Sequence, residues 1–320
     1  MRQEPPRLGR FAIDHAFEAL LARANHALEG IEQELVTERP APSHRMLVIC
    51  YPPRSGSTML AQLLARTQAF NYVTNFQARF WEAPYLAGLI EKKIGIREMP
   101  FPEVIRSAYG VTMAPHEPHE FGFFWNRWLV FAGETHRVAP TLMPEEKTEG
   151  LRRELLALRS LYEKPFFVKS DLVGLNVEYF YRLMPDVVFV VLRRDPLFIA
   201  QSIYRARLQL YASSEVYWST RPSNEAHRYV GSPEDQIVLQ INGIYNDIYN
   251  GLRQTGAPYI EVQYETLCRQ PRKEVGRLLE FAGAETWSLA QIPEQLPVSE
   301  RHELPREVIR RIVQAMSRHG

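Results

Sequence analysis

The feature that most constrains this chain is the junction MLVIC-YPPRSGST-MLAQLL, residues 46–64, where an apolar run passes through a short loop into a helical pattern. Met46 to Cys50 carries no charged residue, which suits a parallel strand buried on both faces. The apolar residues of STMLAQLLART then recur at helical spacing. Between the two stand Arg54, Ser55, Gly56, Ser57 and Thr58. In that order, loop amides, hydroxyls and the positive end of a helix converge on one point, where an anion binds. A plain strand-to-helix turn has no need of a guanidinium and three hydroxyls around one glycine.

The loop is not built for nucleotide hydrolysis. A Walker A loop reads G-x-x-x-x-G-K-[ST], and here Ser57 stands where the lysine belongs. A cysteine phosphatase loop fails as well, because Arg54 follows Cys50 too closely. What remains is a helix start that cups one phosphate, with Arg54 adding a full charge.

Beyond the loop, strand-like and helical segments alternate. Phe11 to about Leu35 reads as an amphipathic helix, expected to lay its apolar face on the main domain or to offer it for self-association. ERPAPSHR breaks it with two prolines. Residues 68–149 are rich in aromatics (NFQARFWEAPYL, HEFGFFWNRWLVF) and weakly periodic. Then come GLRRELLALRSLYE as a helix, PFFVKS as a strand, NVEYFYRLMP as a helix and DVVFVVLRRDP as the most strand-like run of the chain. PLFIAQSIYRARLQLY is a helix with Pro196 in its first turn. A polar stretch, residues 213–235, leads to a helix near 236–254, then to strand-like APYIEVQYETLC and to the helices PRKEVGRLLEFAG and ELPREVIRRIVQAM. The expected fold is α/β, a P-loop-like three-layer arrangement with a mostly parallel central sheet flanked by helices. Residues 1–45 are expected to pack as a helix and linker on a single domain, 46–320, with the insert at about 68–149 forming an acceptor site.

Charge is balanced: 38 Lys and Arg against 37 Asp and Glu, a net of +1, so no global field draws the chain to nucleic acid or an anionic membrane. Any anion site must be local. Cys50 and Cys268 are too few and too far apart for a disulfide scaffold, which points to a reducing compartment, the cytoplasm by default. No signal-peptide pattern and no apolar run long enough for a membrane span is present.

A second cluster, LRRDPLFIAQSIY, places Arg194 at a strand end and Ser202 about two turns into the next helix. A guanidinium and a hydroxyl so placed suit a second phosphate in the crevice where α/β sheets bind ligands. Together with RSGST and with YETLCRQPRKEVGRLLEFAG, residues 264–283, the pattern resembles the sulfotransferase family over roughly 46–283. The spelling Pro-Arg-Ser-Gly-Ser-Thr is similar to the bacterial or tyrosylprotein-type branch. Met59 stands where cytosolic animal members place a tryptophan, and their Arg-x-Gly C-terminal loop is absent.

The resemblance implies a donor, 3′-phosphoadenosine 5′-phosphosulfate, no metal requirement, and an acceptor that is a small or lipid-like hydroxyl compound. It implies that Arg54 binds the bridging oxygen while Ser55, Gly56, Ser57 and Thr58 hold the 5′-phosphate. Arg194 and Ser202 would hold the 3′-phosphate, with Ser299 and Arg301 nearby and Tyr264 beside the adenine.

The base is open between three places. EPHEFGFFW clusters His116, Glu117, His119 and Glu120, and His119 with Glu120 as accessory carboxylate is the first choice, since a histidine titrates in the useful range. Asp171, after Lys169 and Ser170, matches the position of the cytosolic members' histidine but not its type. Glu82 approximates the glutamate of tyrosylprotein-type members. His116 and His119 alone lack the further ligands of a zinc site. A P-loop kinase with degenerate motifs and a non-catalytic nucleotide-binding scaffold stay open as alternatives.

Overall fold

The computed structural model describes residues 6–105, 107, 109–223, 231–285 and 287–320. Residues 1–5 of the N-terminal reading and 224–230 of the polar stretch lie outside the described residues. Five strands, β1 (Met46–Cys50), β2 (Asn71–Tyr72), β3 (Phe166–Lys169), β4 (Val187–Arg193) and β5 (Tyr259–Gln263), form one sheet in the order β2-β3-β1-β4-β5. Every neighbouring pair is parallel. β1 is central and wholly buried, as its unbroken apolar run requires.

Twelve α-helices accompany the sheet among the described residues: α1 (His15–Leu35), α2 (Ser57–Arg66), α3 (Pro84–Ile94), α4 (Gly122–Trp128), α5 (Glu145–Ser160), α6 (Asp171–Gly174), α7 (Val177–Leu183), α8 (Pro196–Tyr211), α9 (Pro233–Thr255), α10 (Tyr264–Arg269), α11 (Pro271–Ala282) and α12 (Arg306–His319). Alternate residues of β1 feed two cores. Met46, Val48 and Cys50 pack with Leu155 of α5, Phe180 of α7 and Ile248 of α9, while Leu47 and Ile49 pack with Leu60 and Leu64 of α2 and Leu278 of α11. The result is the expected α/β fold, a parallel sheet between two helical layers. No described helix is long and apolar enough to cross a membrane.

Two local expectations change. The strand-like run APYIEVQYETLC is a strand only to Gln263; from Tyr264 it turns into α10. The N-terminal helix begins at His15, capped by the Asp14 side chain on Phe17 N at 3.0 Å, and it docks by polar residues. Glu32 is buried and accepts from Tyr85 N at 2.7 Å and Leu86 N at 2.8 Å, capping the start of α3. Asn25 donates to Arg79 O and accepts from Glu82 N, each at 2.9 Å. Phe17, Leu20 and Ile31 of the expected buried face are exposed, and Leu21, Ala24, Leu28 and Leu35 are half-buried.

Candidate active site

The loop after β1 opens at the carboxyl edge of the sheet, where open α/β sheets bind ligands. Arg54 is left-handed at φ 69° and Gly56 at φ 99°, which turns the backbone sharply into α2. A Cβ on Gly56 would lie 2.5 Å from the Tyr264 ring, so glycine is needed for space as well as for its torsion. Ser55 is wholly buried, and its Oγ has no partner.

The sheet register brings the second cluster alongside. Cys50 pairs with Val191, and Arg194, just past the end of β4, reaches the same level as the loop. Its Nη1 donates to Arg54 O and its Nη2 to Ser299 O, both at 2.7 Å, while its guanidinium lies 4.3 Å from the Tyr264 ring centre. Its Nε is buried without a partner. From α8, Ser202 Oγ accepts from Arg54 Nε at 3.0 Å. Tyr264, 6% exposed, is held between Gly56 and Arg194, which leaves its ring bracing the loop rather than open to stack on a base.

These residues line one cleft of about 320 Å³, with Arg54, Gly56, Ser57, Thr58, Arg194, Ser202, Tyr264, Ser299 and Arg301 all on its walls. Sequence reading missed other contributors to the same cleft. Arg205 lies one turn beyond Ser202 on the same face of α8, a spacing that could have signalled it, and it pairs with Glu303. Tyr109 lies under the Arg54 guanidinium at 5.0 Å, but nothing local in the sequence marks it. Four guanidinium groups, those of Arg54, Arg194, Arg205 and Arg301, therefore face one space in a chain of nearly zero net charge. Burial pulls the Arg54 guanidinium below its usual value, with Arg194 and Arg205 adding to the effect.

The base candidates separate clearly. Glu120 lines the cleft; its Oε1 is 2.8 Å from Lys169 Nζ and accepts from Tyr51 OH at 3.4 Å. Gly110, at φ 92°, makes room for it, since a Cβ there would come within 3.3 Å of Oε1. Asp171 also lines the cleft, but its carboxylate accepts from Leu172 N at 2.9 Å and from the hydroxyl of Thr220. Burial, and then the Glu120 charge, raise its pKa.

His119 does not line the anion cleft. It lines a neighbouring cavity, and its Nδ1 accepts from Phe121 N at 2.9 Å. That bond leaves the ring's proton on Nε2, so the neutral ring has no free lone pair to act as base. Burial and the nearby Lys169 ammonium hold its pKa down to about 4. Glu82 lines neither cavity, and its backbone is tied to α1. His116 is buried against Phe101 at 4.6 Å, and Glu117 is occupied by Gln62, Met113 N and Ala114 N.

The family model described as "Sulfotransferase family" matches residues 47–288. A sulfotransferase structure from Mycobacterium avium is 17% identical, with 92% of this chain and 81% of that one covered at a TM-score of 0.54. One from Mycobacterium tuberculosis H37Rv is 15% identical, covering 93% and 81% at 0.48, and the sulfotransferase domain of the Synechococcus PCC 7002 olefin synthase is 13% identical, covering 88% and 96% at 0.43. No curated protein matches the chain. The likeness to the first structure is one of fold, while the family match runs over three quarters of the sequence: this chain belongs to the sulfotransferase family.

Proposed function

We propose that this chain moves a sulfuryl group from 3′-phosphoadenosine 5′-phosphosulfate to the hydroxyl of a small acceptor. The observation that carries the reading is the convergence of two anion grips on one cleft: Arg54, Gly56, Ser57 and Thr58 of the loop, and Arg194 with Ser202 and Arg301. Their donors fit a doubly phosphorylated nucleotide, because Arg194 Nε, on the cleft wall, is buried without a partner, and so is the Ser55 hydroxyl behind the loop. The loop's Pro-Arg-Ser-Gly-Ser-Thr spelling supports placement with the bacterial and tyrosylprotein-type members. The two cysteines, both buried and free, fit a reducing compartment such as the cytoplasm.

In this reading the loop amides and the hydroxyls of Ser55, Ser57 and Thr58 hold the 5′-phosphate, and Arg194, Ser202 and Arg301 hold the 3′-phosphate. Glu120 replaces His119 as the base. The acceptor oxygen forms the new S–O bond as the bond from sulfur to the bridging oxygen breaks. The acceptor proton goes to Glu120, and the departing electron pair goes to the nucleotide phosphate, where Arg54 neutralises the developing charge. Lys169 positions the Glu120 carboxylate through their ion pair.

Calorimetry with adenosine 3′,5′-bisphosphate on the wild type, Arg54→Ala and Arg194→Ala tests the site. Tight binding to the wild type and weaker binding to both variants is expected. Equal affinity for all three, or none for any, would overturn it.

A further inference from the structure

A second cavity, of about 430 Å³, shares Tyr109, Gly110, Glu120, Asp171, Trp218 and Ser219 with the anion cleft. It runs away from the cleft between Phe11, Val111, Phe123 and Leu210. Part of its wall comes from the far N-terminal end of the chain. Leu8 N donates to Leu210 O at 2.9 Å, and a single turn over Gly9–Phe11 sets the Phe11 ring edge-on against Tyr109, with 5.3 Å between centres. Tyr109 in turn meets Trp218 edge-on at 6.3 Å and carries Arg54 on its face. One aromatic ring thus serves both spaces.

The chemistry of the walls is one-sided. At the inner end stand the carboxylates of Glu120 and Asp171, and the neighbouring cation, Lys169, is buried and paired with Glu120. Along the body, His136 has its Nδ1 occupied by Arg221 N at 3.1 Å, His119 has its Nδ1 occupied by Phe121 N, and the Ser219 and Thr220 hydroxyls are turned to Asp171, which leaves Asn126 and the exposed Arg7 beside mostly aromatic and aliphatic side chains. Of the lining residues, Val111 and Phe123 are exposed. An anionic acceptor would meet the Glu120 and Asp171 carboxylates where its hydroxyl must sit, and a sugar would lose more water than the few polar groups along the body can replace.

We propose that Arg7 and Phe11 form the outer wall of the acceptor site, and that this site selects an uncharged phenol with an apolar ring body. This rests on the sulfuryl-transfer reading above. The aromatic wall of Phe11, Tyr109 and Trp218 offers edge and face contacts to a ring. A carboxylate base also favours this class, since a phenolic hydroxyl ordinarily ionises near pH ~10 and gives up its proton more readily than an aliphatic alcohol. Phe11 then determines specificity without touching the reacting atoms.

The test uses the full chain and three acceptor probes, naphthol, hydroxybenzoate and glucose, with 3′-phosphoadenosine 5′-phosphosulfate as donor. Naphthol is expected to exceed both others in kcat/KM by at least about tenfold, a difference a ring-lined pocket readily supplies. Phe11→Ala is expected to raise the KM for naphthol by on the order of tenfold, with kcat and bisphosphate affinity unchanged, as loss of one ring contact would do. Phe123→Ala, on the same cavity, is expected to shift KM in the same direction and serves if Phe11→Ala unfolds the N-terminal segment. A naphthol KM unchanged in both variants, or a preference for hydroxybenzoate or glucose, overturns the proposal. Wild type that binds the bisphosphate yet ignores naphthol sinks this proposal alone, whereas failure to bind the bisphosphate sinks the sulfuryl-transfer reading with it.

Discussion

Lys169 Nζ lies 2.8 Å from Glu120 Oε1, with the lysine side chain wholly buried and 40% of the glutamate side chain exposed. Lys169 is the last residue of β3 and is fixed by its pairing with Ile49 of β1, so the ammonium is held by the sheet itself. Glu120 comes from the aromatic insert, ahead of α4, with its carbonyl held by Trp125 Nε1 at 3.0 Å. The pair thus joins the sheet edge to the insert at the boundary of the two cavities.

Glu120→Gln is accordingly expected to lower turnover by about 10²–10⁴, the usual contribution of a positioned base, with bisphosphate affinity retained. His119→Ala should keep turnover within a few-fold, because its Nδ1 is already committed to Phe121 N. Steady-state rates and calorimetry on the two variants decide. If His119→Ala loses turnover as severely as Glu120→Gln, the histidine is the base.

Gly56→Ala should weaken the bisphosphate site and the fold together. An alanine at φ 99° costs about 1–3 kcal/mol in backbone strain. Its Cβ would also strike Tyr264 at 2.5 Å, and Tyr264 is the surface on which Arg194 rests. Thermal melting with and without bisphosphate measures both effects. A melting temperature and ligand shift equal to wild type would mean that the loop tolerates a wider turn.

That the loop of residues 54–58, Arg194 and Ser202 come together was legible in the sequence because each sits at a strand end or on the following helix, where local order already implies position. Which candidate for the base lines the cleft was not. His119 and Glu120 are adjacent, so spacing cannot say which faces the cleft. That is decided by the left-handed Phe121 at φ 60° and by Lys169 from a distant strand. Tyr109 and Arg205 join the site through tertiary contacts with Arg54 and Glu303. The N-terminal helix misled for a related reason. Its apolar period is real, but its deepest contacts are backbone groups of residues 79–86, at and just before the start of α3, which need polar partners such as a carboxylate and an amide.

That inversion has a measurable consequence for stability. Glu32→Ala removes the acceptor for two N–H groups at the start of α3 and should destabilise the chain by about 2 kcal/mol. Leu20→Ala, at an apolar position of the same helix that is 57% exposed, should change stability by no more than about 0.5 kcal/mol. Urea unfolding of the two variants gives the comparison. A larger loss for Leu20→Ala would mean that its face is covered in solution, as self-association through α1 would do.

Glu154 on α5 should make stability fall with rising pH. Its carboxyl takes Arg127 at 3.1 Å and Trp128 Nε1 at 2.9 Å, yet burial outweighs both partners and pushes its pKa up to about 7 from an ordinary 4.5. The folded state therefore binds this proton more tightly than the unfolded chain. The resulting stability is fully present below the unfolded value and is lost as pH rises through about 7. The shift corresponds to on the order of 3 kcal/mol. Glu154→Gln cannot ionise but can still accept from Trp128, so its unfolding free energy should lack this decline even if its absolute stability differs. Urea unfolding of wild type and variant from about pH 4 to pH 8 measures the difference in slope, which the single proton at this site predicts. Parallel curves for the two proteins would mean that Arg127 keeps Glu154 ionised throughout, and that the pH dependence arises elsewhere.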